Sequence, residues 1–154
     1  MNNTLYYIAY GSNLNLQQMA IRCPTAKAVG TGVIKNYQLI FAQYATLIKR
    51  NEAETPIAVW EIDADCEKKL DYYEGFPIFY RKEYLEVEVN GHKITGMIYL
   101  MNNPLFCRPD PAYFRIVLEG YHDVGFDPEY LYNAYRYSCK QMNSGMLFPI
   151  VNQE

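Results

Sequence analysis

The chain has 154 residues, a formal net charge of -3 and a half-apolar composition, enough for a single domain, 1–154, that removes roughly two thirds of its unfolded surface from water. Acidic and basic residues are interspersed, with basic clusters no longer than Lys49-Arg50 or Arg81-Lys82; phosphate neutralisation needs a concentrated basic face, so no nucleic-acid partner is expected. The apolar run Leu5 to Tyr10 is too short for a signal or a membrane span and Met1-Asn2-Asn3-Thr4 carries no basic residue, which predicts a cytoplasmic protein with no membrane partner.

Leu5 to Tyr10 reads as a buried first strand that runs directly into the turn Gly11-Ser12-Asn13. Gly11 lets the backbone turn without a Cβ, and a helix following the turn offers unpaired N–H groups at its positive end, so the junction is a place to hold a carboxylate or oxyanion. Asn15 with Gln18 three residues on has the form of a capping box, and Pro24 stops the helix. Val33 to Ala42, Ala45 to Ile48 and Ile57 to Ile62 read as strands. Tyr84 to Val89 alternates charged and apolar residues, and Asn90-Gly91 turns it back through His92 to Leu100 as a hairpin.

Between these strands, a helix capped by Asp63 or Asp65 is expected to pass Leu70 and Tyr73 and to end at Gly75, with Pro77 forbidding continuation. Glu74 then sits on the last turn, against the negative end of the helix dipole. That position, and burial beside Phe76, Phe79 and Tyr80, raises its proton affinity toward the range a general base needs near neutral pH. Asp110-Pro111 and Asp127-Pro128 each read as an N-cap followed by the first helical residue, with ends at Gly125 and near Ser144-Gly145. The pattern is α+β: one domain with a curved, mixed but largely antiparallel sheet, partly barrel-like, flanked by helices.

The remaining candidates are weaker. Cys23, Cys66, Cys107 and Cys139 are widely spaced, with only His92 and His122 as companions; buried free thiols are expected in place of disulfides or a zinc site. Ser12 lacks a Gly-x-Ser-x-Gly elbow, His92 is read as a surface residue, and composition allows a Cys139–His122 thiol pair, against which Cys139 is read as a core cysteine. Gly30 and Gly32 do not form a dinucleotide fingerprint, so no cofactor and no metal are predicted. Tyrosine holds 16 positions against seven Phe and one Trp, which puts many hydroxyls at the margins of the core and leaves room for a homodimer interface as well as a monomer.

Tyr10-Gly11-Ser12-Asn13-Leu14 and Leu70-Asp71-Tyr72-Tyr73-Glu74-Gly75, with Tyr80 shortly after, resemble the signature loop and the Glu-Gly segment of the γ-glutamylcyclotransferase family. Ala45-Thr46-Leu47 and Ala58-Val59-Trp60 are similar to its intervening strands, and Arg115 to Leu131 to its C-terminal helical region. The resemblance implies a cofactor-free enzyme with that family's fold, acting on a small-molecule γ-glutamyl substrate to form 5-oxoproline. It implies Glu74 as the catalytic acid/base and Tyr7, Ile8, Ala9, Tyr10, Gly11, Ser12 and Tyr80 as substrate-binding positions. A non-catalytic binding module on the same scaffold and a γ-glutamyl amide hydrolase or acyltransferase stay open beside it.

Overall fold

The computed structural model describes residues 4–146 and Pro149. In chain order it contains β1 (Leu5–Ala9), a 3-10 turn (Ser12–Leu14), α1 (Leu16–Arg22), β2 (Lys27–Ala42), β3 (Tyr44–Ile62) and α2 (Ala64–Glu74). These are followed by β4 (Tyr80–Val89), β5 (His92–Met101), α3 (Pro111–Val124) and α4 (Glu129–Asn143). The strands form one sheet in the order β2-β3-β1-β5-β4. β1 lies at its centre, antiparallel to β3 and parallel to β5; β2 with β3 and β4 with β5 are antiparallel hairpins. The expected curved, mixed, largely antiparallel α+β domain is therefore what forms, and the sheet stays open. Its two edges approach where Gly30 and Gly32 pass the end of β4: a β carbon there would meet Val89 and the Glu88 carbonyl at 2.7 and 2.4 Å.

A central strand has both faces covered, and Ile8, Ala9, Ile57, Val59, Ile98 and Leu100 are all buried. α4 rests on β2, where the Ser138 hydroxyl accepts the Phe41 N–H at 2.8 Å. The hairpin β2–β3 is longer than the apolar runs suggest. The charged residues from Lys49 to Glu54 are paired with Lys35 and Tyr37 across a register shift, near which Asn36 and Glu52 take positive φ and the Asn36 side chain accepts the Glu52 N–H at 3.1 Å. Backbone pairing there continues without a buried face, which a hydrophobic pattern does not register.

The helix starts follow their sequence signals closely. Asn15 accepts from Gln18 N, Asp63 from Cys66 N and Asp110 from Tyr113 N. α4 departs from its signal by one residue: Pro128, expected as the first helical residue, is the cap position with no side-chain cap, the helix begins at Glu129, and the Asp127 carboxylate accepts the Glu129 N–H at 3.0 Å. The cysteines require a correction: Cys23, at the end of α1, and Cys66, in the first turn of α2, are joined in a disulfide with Cα atoms 5.3 Å apart. Both are buried, while Cys107 and Cys139 are free and half-buried. The pairing spans 43 residues and depends on two helices meeting only in the folded chain, where the link acts mainly by restricting the unfolded state.

Candidate active site

Three elements meet beside the carboxyl-terminal end of β1 and enclose a cavity of about 860 Å³. β1 delivers Tyr7, and the segment that follows it adds Tyr10, Gly11, Ser12 and Asn13. α2 contributes Tyr73 and Glu74 from its last turn, and α3 contributes Tyr113 from its first. Tyr80 at the start of β4 and Tyr99 of β5 complete the polar side. Of the residues singled out in the sequence, Tyr7, Tyr10, Gly11, Ser12, Glu74 and Tyr80 thus converge. Ile8 and Ala9 lie in the core and are not among the lining residues; their backbone is paired to Val59 and Ala58, and they fix where the turn begins.

Glu74 is held by the way α2 stops. Gly75 takes the left-handed conformation, φ 66°, its N–H bonded to the Tyr72 carbonyl at 3.2 Å and the Phe76 N–H to the Asp71 carbonyl at 2.9 Å, a Schellman closure. Burial pushes the Glu74 carboxyl up to about 7 from its ordinary 4.5, with the Arg22 guanidinium opposing the rise. Phe76 and Phe79, expected to cover the carboxylate, are exposed. Glu74, itself half-buried, lines the cavity together with the tyrosines. Burial above all, with the Glu74 charge adding, holds the hydroxyls of Tyr7, Tyr10 and Tyr80 in their neutral, proton-bearing form.

The helix start expected to hold an anion is already occupied. At the beginning of α1 the Asn15 side chain accepts the Gln18 N–H at 3.1 Å and the Asp123 carboxylate accepts the Leu16 N–H at 3.0 Å. The turn itself bonds Leu14 N–H to Gly11 O and Asn15 N–H to Ser12 O, both at 3.1 Å, so its internal bonds draw on later amides than those of Gly11, Ser12 and Asn13. Arg22, at the far end of α1, reaches back over the turn: its guanidinium donates to the Asn13 side chain and to Ser12 Oγ at 3.3 Å. It also stacks 3.5 Å from the centre of the Tyr73 ring. One cation thereby joins α1, the turn and the end of α2.

The hydroxyls divide by what they do with their protons. Tyr80 donates to the Ala45 carbonyl at 2.9 Å and Tyr10 to the Tyr99 carbonyl. Tyr7 instead accepts from the Asn13 amide group at 2.9 Å and Tyr113 accepts from the Ala45 N–H at 3.2 Å, so these two keep a proton to give. Sequence reasoning chose Tyr80 and missed Tyr113 and Arg22. The Asp110-Pro111 cap located the first turn of α3, yet no local pattern showed that this turn reaches Gly11, where a β carbon would lie 3.3 Å from the Tyr113 hydroxyl.

Comparison with known proteins bears on this arrangement. The family model described as "Gamma-glutamyl cyclotransferase, AIG2-like" matches residues 7–122. A Homo sapiens protein named gamma-glutamylcyclotransferase is 28% identical over 141 residues, covering 80% of this chain and 73% of that protein. A Mus musculus protein of the same name is 26% identical over 144 residues, covering 82% and 75%. A solved structure titled "Gamma-glutamyl cyclotransferase" shares the fold at a TM-score of 0.76 and 24% identity, over 99% of this chain and 92% of that one.

Proposed function

This chain belongs to the gamma-glutamyl cyclotransferase, AIG2-like family, and from that premise we propose that it cyclises a γ-glutamyl amide to 5-oxoproline and releases the amine. The observation that carries the proposal is Glu74, a carboxyl raised to about 7 by burial in the cavity it shares with the Gly11-Ser12-Asn13 turn. The α-amine attacks its own γ-carbonyl, so the new C–N bond closes the five-membered lactam and the bond to the departing nitrogen breaks. Of the three protons on the substrate ammonium, one stays on the lactam nitrogen. Glu74 removes one to free the attacking lone pair and passes it to the departing nitrogen; the other leaves with the product amine as its ammonium ion.

The attack is intramolecular, so what is asked of the protein is to fold the substrate, move these protons and hold the oxyanion. The amides of Gly11, Ser12 and Asn13 take the substrate α-carboxylate, with Arg22 supplying positive charge from behind the turn. The hydroxyls of Tyr7 and Tyr113 donate to the oxygen of the γ-carbonyl as it gains charge. Ile8 and Ala9 set the position of the turn from the core, and the rings of Tyr10 and Tyr80 wall the cavity. The test is a panel of γ-glutamyl amino acids and γ-glutamyl amines assayed for products by chromatography. 5-Oxoproline with equimolar amine is expected; free glutamate would mean hydrolysis by water in place of cyclisation.

A further inference from the structure

The cavity has two unlike ends. The inner end holds Glu74, the turn and the tyrosine hydroxyls. The outer end is walled by Tyr44, Tyr72, Ile78, Phe79 and Leu105, all exposed, Ile78 at 76% and Phe79 at 69%. Apolar side chains held in water at the mouth of a polar site are a surface waiting for an apolar group. The backbone that carries Ile78 and Phe79 is also held in place. The Asn102 side chain donates to the Pro77 and Ile78 carbonyls at 3.0 and 3.1 Å, and Phe79 N–H bonds to Gly75 O at 2.9 Å and Asn102 N–H to Phe79 O at 2.8 Å. A wall built in advance loses little freedom when a ligand arrives.

Charge points the same way. Glu74 is the one ionisable carboxyl or basic side chain among the described residues lining the cavity; Lys, Arg and His are missing from that lining. Arg22 is engaged by Ser12, Asn13 and Tyr73 at the inner end, and Lys82 is paired with Glu67 and Asp71 at 2.6 and 2.8 Å. Arg108 follows Cys107 in the chain but is exposed and outside the lining. A substrate with one carboxylate finds a partner for it at the turn. Arg81 reaches the Met101 carbonyl at 3.2 Å beside the cavity but is paired with Glu83 at 2.7 Å. A second carboxylate, on the departing group, would therefore meet apolar rings and the neutral amides of Gln43 and Asn103, with no cation in the described lining and with the Glu74 charge inside the same cavity.

Resting on the cyclisation reading above, we propose that the site takes γ-glutamyl amides whose departing amine is bulky, apolar and free of a carboxylate, in preference to γ-glutamyl amino acids. Three probes separate the ideas: γ-glutamyl 2-phenylethylamide, γ-glutamylphenylalanine, which differs from it by one carboxylate, and γ-glutamyl methylamide, which lacks the ring. The expected kcat/KM for the phenylethylamide exceeds each of the others by roughly tenfold or more, and Ile78→Ser narrows the ratio of phenylethylamide to methylamide. Equal or faster turnover of γ-glutamylphenylalanine, or equal turnover of the methylamide, overturns the proposal. Affinities for the same three compounds, measured by calorimetry on Glu74→Gln protein, decide it without turnover: tightest binding of the phenylethylamide supports it, and equal or reversed affinities overturn it. Wild-type protein that forms no 5-oxoproline from any probe would sink cyclisation, and the affinities alone then settle the preference.

Discussion

Two helix ends flank the turn after β1, and they are treated in opposite ways. The start of α1 is satisfied twice, by Asn15 and by Asp123, and Asn15 is itself buried and donates to the Ile116 carbonyl at 2.9 Å. The end of α2 closes its backbone equally well through Gly75 but places a carboxylate, Glu74, where burial raises its proton affinity. A helix end built only for stability resembles the first. The second spends stability on a group that holds a proton near neutral pH, which is the pattern expected where local rules give way to chemistry.

The largest effect should come from Glu74→Gln, which keeps the side-chain shape and removes the proton acceptor. On the cyclisation reading turnover falls by roughly a hundredfold or more while the fold persists, as product assays and circular dichroism would show. The same substitution should act on stability with a defined sign. Because the folded pKa lies above the unfolded one, the folded state binds the proton more tightly, and wild-type stability falls as pH rises from about 4.5 to about 7. Glu74→Gln protein lacks that decline, so at about pH 8 it should be more stable than wild type by on the order of 1–3 kcal/mol and near parity at about pH 4. Denaturant unfolding at the two pH values measures this; an equal difference at both would contradict the burial of the charge.

Smaller effects sharpen the contrast. Tyr113→Phe removes a hydroxyl proton that finds no acceptor among the described residues, and kcat should drop roughly tenfold. Tyr80→Phe breaks the bond to Ala45 O and should affect stability more than rate; the reverse order would show the two tyrosines to be misassigned. Asn15→Ala removes the cap of α1 and should cost about 1–2 kcal/mol in denaturant unfolding while kcat stays near the wild-type value. A collapse of kcat in folded Asn15→Ala protein would mean that the start of α1 takes part in the reaction after all.

What the sequence revealed and what it concealed divide along the same line. The turn Gly11-Ser12-Asn13, the stop at Gly75, the aspartate caps Asp63 and Asp110 and the Asn90-Gly91 hairpin are written within a few consecutive residues, so each could be read locally. Glu74 could be found because its position relative to Gly75 is local too. Tyr113, Arg22 and the Cys23–Cys66 link depend on elements that meet only through the sheet, and single-chain spacing carries no trace of those meetings. The occupied start of α1 was hidden for the same reason: its second partner, Asp123, lies 107 residues away on α3.

The pH dependence of kcat/KM for 5-oxoproline release tests the central claim most directly, because it reports the ionisation of the free enzyme's essential base. The account predicts a rate that falls on the acid side with an apparent pKa near about 7, and the loss of that limb in whatever activity Glu74→Gln retains. An acid limb near the ordinary carboxyl value of 4.5, or the same limb surviving in the variant, would contradict Glu74 as the group that moves the proton.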